Sequence, residues 1–201
     1  MPEGFYGAER QQFQAIAERC GASLRPFNQD EYLVQQMIGR LGSCTSFVLM
    51  WLKAQRHHGD FFADLATDAA RTEFVELINQ HIRGDSYHRD YLGQFGFTRP
   101  GGAKQLDRQL SLERWAAVMT PSSGYYVLCV SNTNRCGVST DPESNAMAHA
   151  IGIETYGNRL FDPNGGELTF ESMDQLHECL ASIFRAFYGS LQSSALLERF
   201  L

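Results

Sequence analysis

One cysteine, one histidine and one aspartate in this chain are placed so that a fold could assemble a nucleophile, its base and an orienting carboxylate. Cys44 lies in Gly42-Ser43-Cys44-Thr45-Ser46-Phe47-Val48-Leu49-Met50-Trp51-Leu52, at the start of what reads as an amphipathic helix. The first turn of a helix presents unpaired backbone N–H groups and the positive end of the macrodipole, and both favour a thiolate over a thiol. The thiolate is the attacking form in covalent catalysis. Free cysteine is also among the residues most often buried as small hydrophobes, so position alone does not make Cys44 a nucleophile. Its partners must.

A thiol nucleophile needs a base for its proton, and the base needs a third group to fix its tautomer. His149 stands in Met147-Ala148-His149-Ala150-Ile151-Gly152-Ile153, where strand alternation puts it on one face with Ile151 and Ile153 and leaves Ala148, Ala150 and Gly152 as an unusually small opposite face. The imidazole is expected on the apolar, helix-covered side. Asp162 follows in Arg159-Leu160-Phe161-Asp162, and a hairpin loop of even length near residues 154 to 158 pairs it with an odd-numbered residue of the preceding strand. Asp162 then shares a face with His149, and contact requires a turn centred near Thr155 to Gly157. A lone aspartate beside Pro163 is as readily a turn former, and a lone histidine in an apolar strand is as readily a core residue. The argument rests on three roles filled together.

The elements that must hold these groups are legible in outline. Ser43 is a good N-cap, Lys53, Arg56, His57 and His58 precede Gly59, and Phe47, Val48, Trp51 and Leu52 recur below Cys44 at helical spacing. Helical patterns also cover Ala8 to Cys20, Glu31 to Ile38, Phe61 towards Ile82 and about Ala103 to Met119, with a turn-rich, aromatic stretch from Gly84 to Pro100. From Gly124 the period changes: Tyr125 to Val130, Met147 to Tyr156 and Arg159 to Asp162 read as strands, followed by the break Pro163-Asn164-Gly165-Gly166. Two C-terminal helices are expected, Glu171 to Phe187 and a second carrying Leu191, Leu196, Leu197 and Phe200; His177 and Cys179 read as scaffold in the first. The fold class is α+β, with helices, a small antiparallel sheet, then helices.

Composition narrows the function. The 201 residues suit one domain spanning 1–201, with no linker or repeat, and the 43 % hydrophobic and 12 % aromatic content is that of a globular protein. A net charge of −6 without a basic cluster argues against nucleic acid as a partner. The longest apolar run, Phe47 to Leu52, is far short of the ~20 residues that span a bilayer, and the N-terminus lacks the build of a cleavable secretory signal, so the chain is expected to be soluble where it is made. Five cysteines at 20, 44, 129, 136 and 179, with no C-x-x-C, point to a reducing compartment rather than a disulfide framework. No H-E-x-x-H or phosphate loop is present, so neither a metal nor an organic cofactor is expected.

Three blocks together carry a resemblance: Gly42-Ser43-Cys44 with Trp51-Leu52 beyond it, Ala148-His149-Ala150-Ile151-Gly152-Ile153, and Phe161-Asp162-Pro163-Asn164-Gly165-Gly166-Glu167. In order and spacing they resemble the motifs of YopT/AvrPphB-type cysteine peptidases, over roughly residues 36 to 168. The resemblance implies a papain-like core, a helix bearing the cysteine packed on an antiparallel sheet bearing the histidine and aspartate. It implies Cys44 as nucleophile, His149 as base and later acid, Asp162 as orienting carboxylate, a protein substrate, and a product of the bacterial cytoplasm secreted into a host or target cell. One departure stands out: papain-like enzymes often carry an oxyanion-stabilising Gln or Asn six residues before the cysteine, and here that position is Ile38, with Gln35 and Gln36 out of step. The same triad would also serve a glutamine deamidase or transglutaminase-type toxin, or a cell-wall peptidase. The non-enzymatic reading is a helical binding module. Specificity contacts are expected from Tyr87 to Phe97 and from the Thr133 to Asn145 loop.

Overall fold

The switch to a two-residue apolar period after Gly124 builds the sheet on which everything else is hung. The structure, a computed structural model, describes residues 6–36, 43–83, 87–102, 104–106, 122–132, 148–189 and 194–201. Helices α1 (Gly7–Arg19), α2 (Gln29–Gln36), α3 (Ser43–Arg56), α4 (Phe61–Asp64), α5 (Asp68–Arg83), α6 (Tyr87–Gln94) and α7 (Met173–Phe187) surround strands β1 (Ser23–Pro26), β2 (Lys104–Leu106), β3 (Tyr125–Ser131), β4 (Ala148–Glu154), β5 (Arg159–Asp162), β6 (Gly166–Thr169) and β7 (Ser194–Phe200). The seven strands form one sheet in the order β1-β6-β5-β4-β3-β7-β2, and every neighbouring pair is antiparallel. This is the α+β class expected, a cysteine-bearing helix packed on an antiparallel sheet with flanking helices, and the sheet is larger.

Several segments differ from their sequence patterns. The C-terminal segment is not a second helix: Ser194–Phe200 is β7, paired with β3 on one side and β2 on the other. Its apolar residues at 196, 197 and 200 fit either period, and the two unsatisfied strand edges decide the matter because an extended chain there fills two ladders of backbone hydrogen bonds. Lys104–Leu106 is β2 rather than the start of a helix, and residues 107–121 lie outside the described residues. Tyr87–Gln94, expected to be turn-rich, is helix α6. The helical pattern from Phe61 is divided into α4 and α5, where Asp60 caps α4 through Phe62 and Ala63 and the Thr67 hydroxyl accepts from the Ala70 N–H.

Helices cover both faces of the sheet. On one face Tyr126, Leu128, Val130, Ile151, Ile153, Leu160 and Leu168 pack against Phe13, Ile16 and Ala17 of α1 and Leu176, Cys179, Leu180, Ile183 and Phe184 of α7. On the other, Tyr125, Val127, Ala150, Phe161 and Phe200 pack against α3, which is itself backed by Phe74 and Leu77 of α5 and Leu92 of α6. Lying between two layers, α3 is buried from Ser43 to Leu52 instead of showing one apolar stripe. His149 is under helices as expected, but those helices are α1 and α7; the cysteine-bearing helix takes the small-residue face.

Size explains that division. A helix backbone approaches a strand closely only where the strand's side chains are small, and Gly152 provides the seat for the Trp51 indole. The indole stacks on Phe161 at 5.6 Å and its Nε1 donates to Glu167 Oε2 at 2.7 Å, locking α3 to β4, β5 and β6 at once. A Cβ on Gly152 would lie 2.8 Å from Trp51 Cε3 and 3.2 Å from Val48 Cγ1. Gly152→Val is therefore expected to destabilise by roughly 1–3 kcal/mol, read as a lower urea midpoint at unchanged m-value; an unshifted midpoint would show that α3 does not sit this close.

Candidate active site

The β4–β5 hairpin brings the histidine and the aspartate together. Register pairs Gly152 with Phe161, Ile153 with Leu160 and Glu154 with Arg159, leaving four loop residues, 155 to 158, with Asn158 in the left-handed region at φ 51°. The next step of that register sets Asp162 across from Ile151, diagonal to His149 and on its face. His149 Nε2 and Asp162 Oδ1 are 2.9 Å apart, and both side chains are wholly buried. The parity argument made from the sequence is thus met, and the loop lies where contact requires it.

Cys44 arrives from the opposite layer. The first turn of α3 ends above the start of β4, where the thiol, 5 % exposed, interacts with the His149 imidazole and with the Ala150 backbone N–H. Asp162 occupies Nε2, so the buried Nδ1, which has no hydrogen-bond partner of its own, is the nitrogen left to serve the sulfur. The three residues picked from the sequence are therefore one cluster.

The electrostatics oppose burial. Desolvation alone would raise the Cys44 thiol, but the hydrogen bond and charge of His149, the Ala150 N–H and the Thr45 hydroxyl together outweigh it, and the thiol titrates below its ordinary range. For His149, desolvation pushes towards the neutral ring, whereas the Asp162 charge and hydrogen bond, then Cys44, pull the other way and raise it to about 9. A lowered thiol beside a raised imidazole favours a thiolate–imidazolium pair.

Four residues that sequence reasoning did not select complete the site. Ser43 Oγ donates to Gln29 Oε1 (3.3 Å), Gln29 Nε2 to Asn164 Oδ1 (2.5 Å), Asn164 Nδ2 to the Tyr188 hydroxyl (3.1 Å), and that hydroxyl to Asp162 Oδ2 (2.8 Å). Asp162 Oδ1 also accepts the Asn164 backbone N–H at 2.9 Å. Asn164 sits inside the third motif block but reads there as a turn residue. Tyr188 lies one residue past α7, at helical spacing from Leu180 and Phe184, and a tyrosine in an apolar stripe was the available signal, since a buried hydroxyl needs a partner. Gln29 carried no signal of its own. As for the oxyanion donor, Ile38 lies outside the described residues, Gln35 is exposed on α2, and the buried Gln29 amide is committed to Asn164. Of the two expected specificity regions, residues 133–147 also lie outside the described residues, while Tyr91, Leu92 and Phe97 belong to the core behind α3. No group of three or more His, Cys, Asp or Glu able to hold a metal occurs among the described residues.

No protein-family model matches the sequence, and no curated protein does. Solved structures do match. The Pseudomonas avirulence protein AvrPphB superposes with a TM-score of 0.58 at 16 % identity, over 80 % of this chain and 92 % of that one. This chain has an AvrPphB-type fold. PatoxP, a cysteine protease-like domain of the Photorhabdus asymbiotica toxin PaTox, superposes with a TM-score of 0.57 at 10 % identity, over 95 % of this chain and 57 % of that one. At such identities the likeness is one of fold. Within that fold the Nε2–Oδ1 contact predicts a clear titration: by NMR, His149 keeps its proton to about pH 9, whereas in Asp162→Asn the largest pull towards the charged ring is gone, only Cys44 still opposes burial, and the titration moves to lower pH. A His149 resonance that titrates alike in both proteins would contradict this electrostatic account.

Proposed function

We propose that this protein is a cysteine endopeptidase in which Cys44, His149 and Asp162 are the catalytic triad. The observation that carries the reading is the 2.9 Å His149 Nε2–Asp162 Oδ1 contact, which leaves Nδ1 to the Cys44 thiol at the start of a helix. The AvrPphB-type fold, shared with a cysteine protease-like toxin domain, supports it.

The Cys44 thiolate attacks a peptide carbonyl carbon, forming a C–S bond as the carbonyl electrons move onto oxygen. The Cys44 backbone N–H, in the first turn of α3 where no intrahelical acceptor exists, receives that oxyanion. His149 then gives its Nδ1 proton to the leaving nitrogen as the C–N bond breaks, and a thioester remains. Water attacks the thioester carbon, Nδ1 takes a proton from it, and the C–S bond breaks to return the thiolate and release the acid. Asp162 holds Nε2–H throughout and keeps the ring turned to the sulfur.

The partner is a protein chain. Because the structural neighbours are an avirulence protein and a toxin domain, the reading extends to a bacterial effector or toxin secreted into a host or target cell, with no metal or organic cofactor in the chemistry. Among the described residues no helix is long and apolar enough to cross a membrane.

Cys44→Ser and His149→Ala are each expected to lower cleavage by at least ~10³-fold without loss of fold. Wild-type kcat/KM should fall above about pH 9, where His149 loses the proton that the leaving amine needs. Mass spectrometry of a target protein reads the reaction class. Two fragments support the peptidase; an intact target about one dalton heavier, the change of one amide to an acid, would replace it with deamidation on the same residues.

A further inference from the structure

Tyr188 touches two members of the triad and belongs to neither strand of the hairpin. Its ring stacks on the His149 imidazole, with centroids 4.7 Å apart and planes 20° from parallel, and its hydroxyl donates to Asp162 Oδ2 at 2.8 Å. It is fully buried. Burial and the neighbouring Asp162 charge hold the phenol well above its ordinary range, so it is a neutral donor at every working pH. Its own oxygen accepts from Asn164 Nδ2, and Asn164 Oδ1 accepts from Gln29 Nε2, whose carbonyl meets Ser43, the residue before Cys44. A continuous hydrogen-bonded chain thus runs from the base of the cysteine helix, through Gln29, Asn164 and Tyr188, to Asp162 and on to His149.

Resting on the triad reading above, we propose that Tyr188 is a positioning residue that holds the Asp162–His149 pair in the orientation that keeps Cys44 ionised. An Asp162 carboxylate with only Oδ1 satisfied could rotate about its Cβ–Cγ bond, because His149 Nε2 and the Asn164 N–H both address the same oxygen. The phenol fixes Oδ2 and so removes that freedom. Stacking fixes the other half, the plane of the imidazole, so that Nδ1 stays directed at the sulfur while Nε2 stays on Asp162. The charged and titratable groups that bear on the phenol are Asp162 from β5 and Cys44 from α3, with the His149 ring from β4 against its face; all belong to the pair being held. The position of Tyr188 is set by α7, which starts at a Ser172–Gln175 capping box and packs through Leu176, Leu180 and Phe184 on the sheet.

The test reads the thiolate directly and needs no substrate. Absorbance at 240 nm is titrated for wild type minus Cys44→Ser, and for Tyr188→Phe minus the corresponding double variant. Tyr188→Phe keeps the stacked ring and removes only the hydroxyl, leaving a buried carboxylate oxygen unsatisfied; relief by rotation or protonation weakens the imidazolium. The acid limb of the Cys44 titration is therefore expected to move up by about one pH unit, a tenfold lower thiolate-to-thiol ratio at fixed pH. Phe184→Leu, one turn earlier on the same buried face, is the control for packing: it should lower Tm and leave the limb in place. An unmoved or lowered limb in Tyr188→Phe, or an equal shift in Phe184→Leu, would overturn the positioning role. A wild-type Cys44 that titrates as an ordinary thiol would instead overturn the triad reading, so the two failures are distinguishable.

Discussion

A carboxylate oxygen lies 2.9 Å from Nε2 of an imidazole with no access to water, and that contact is what favours the charged ring there. Burying three ionised groups is expensive in isolation, and a buried pair survives only when its remaining hydrogen-bonding capacity is also met. Asp162 meets it with three donors, from His149, the Asn164 backbone and Tyr188, the Ala150 N–H favours the thiolate, and His149 Nδ1 is left for the sulfur. Those donors come from β4, the β5–β6 turn and the end of α7. The charge cluster therefore ties together elements distant in sequence, and their mutual placement is what keeps it ionised.

The unequal faces of β4 perform the assembly. Large residues on the odd positions fill the layer under α1 and α7, while Ala150 and Gly152 let α3 come close enough for Trp51 to occupy the glycine's empty side. Gly152 and Ala150 are neighbours on that face, so the point where α3 is docked adjoins the N–H that donates to the thiol sulfur. Packing energy at Trp51, a fully buried indole hydrogen-bonded to Glu167, thereby sets the height of Cys44 over the strand. His149 and Asp162 lie on the other face, and the site forms at the strand end, where both layers can reach it.

The three candidate residues were readable because each is signalled locally: a thiol at a helix start, a histidine amid strand alternation, an aspartate whose parity follows from the loop length. The hairpin register followed from the same counting. What stayed hidden depended on partners far along the chain. β7 has apolar spacing that suits a helix, and it is a strand because β3 and β2 both offer it an unfilled edge. α3 reads as amphipathic, and it is buried nearly all round because α5 and α6 close over its outer side. Gln29 is an unremarkable residue at the start of a helix until Ser43 and Asn164 are brought against its amide.

By itself the sequence singled out the three candidate groups, the face each occupies on its own element and the α+β class, since these follow from side-chain chemistry and from periods of 3.6 and two residues. Tertiary structure alone decided which helix layer covers which face, that the carboxylate holds Nε2 and leaves Nδ1 over for the thiol, and that Tyr188, Asn164 and Gln29 form a hydrogen-bonded path from Ser43 to Asp162. The physical reason is range. Local pattern specifies direction within one element, whereas a pKa, a desolvated charge and a hydrogen-bond chain are properties of groups that meet only when separate elements pack.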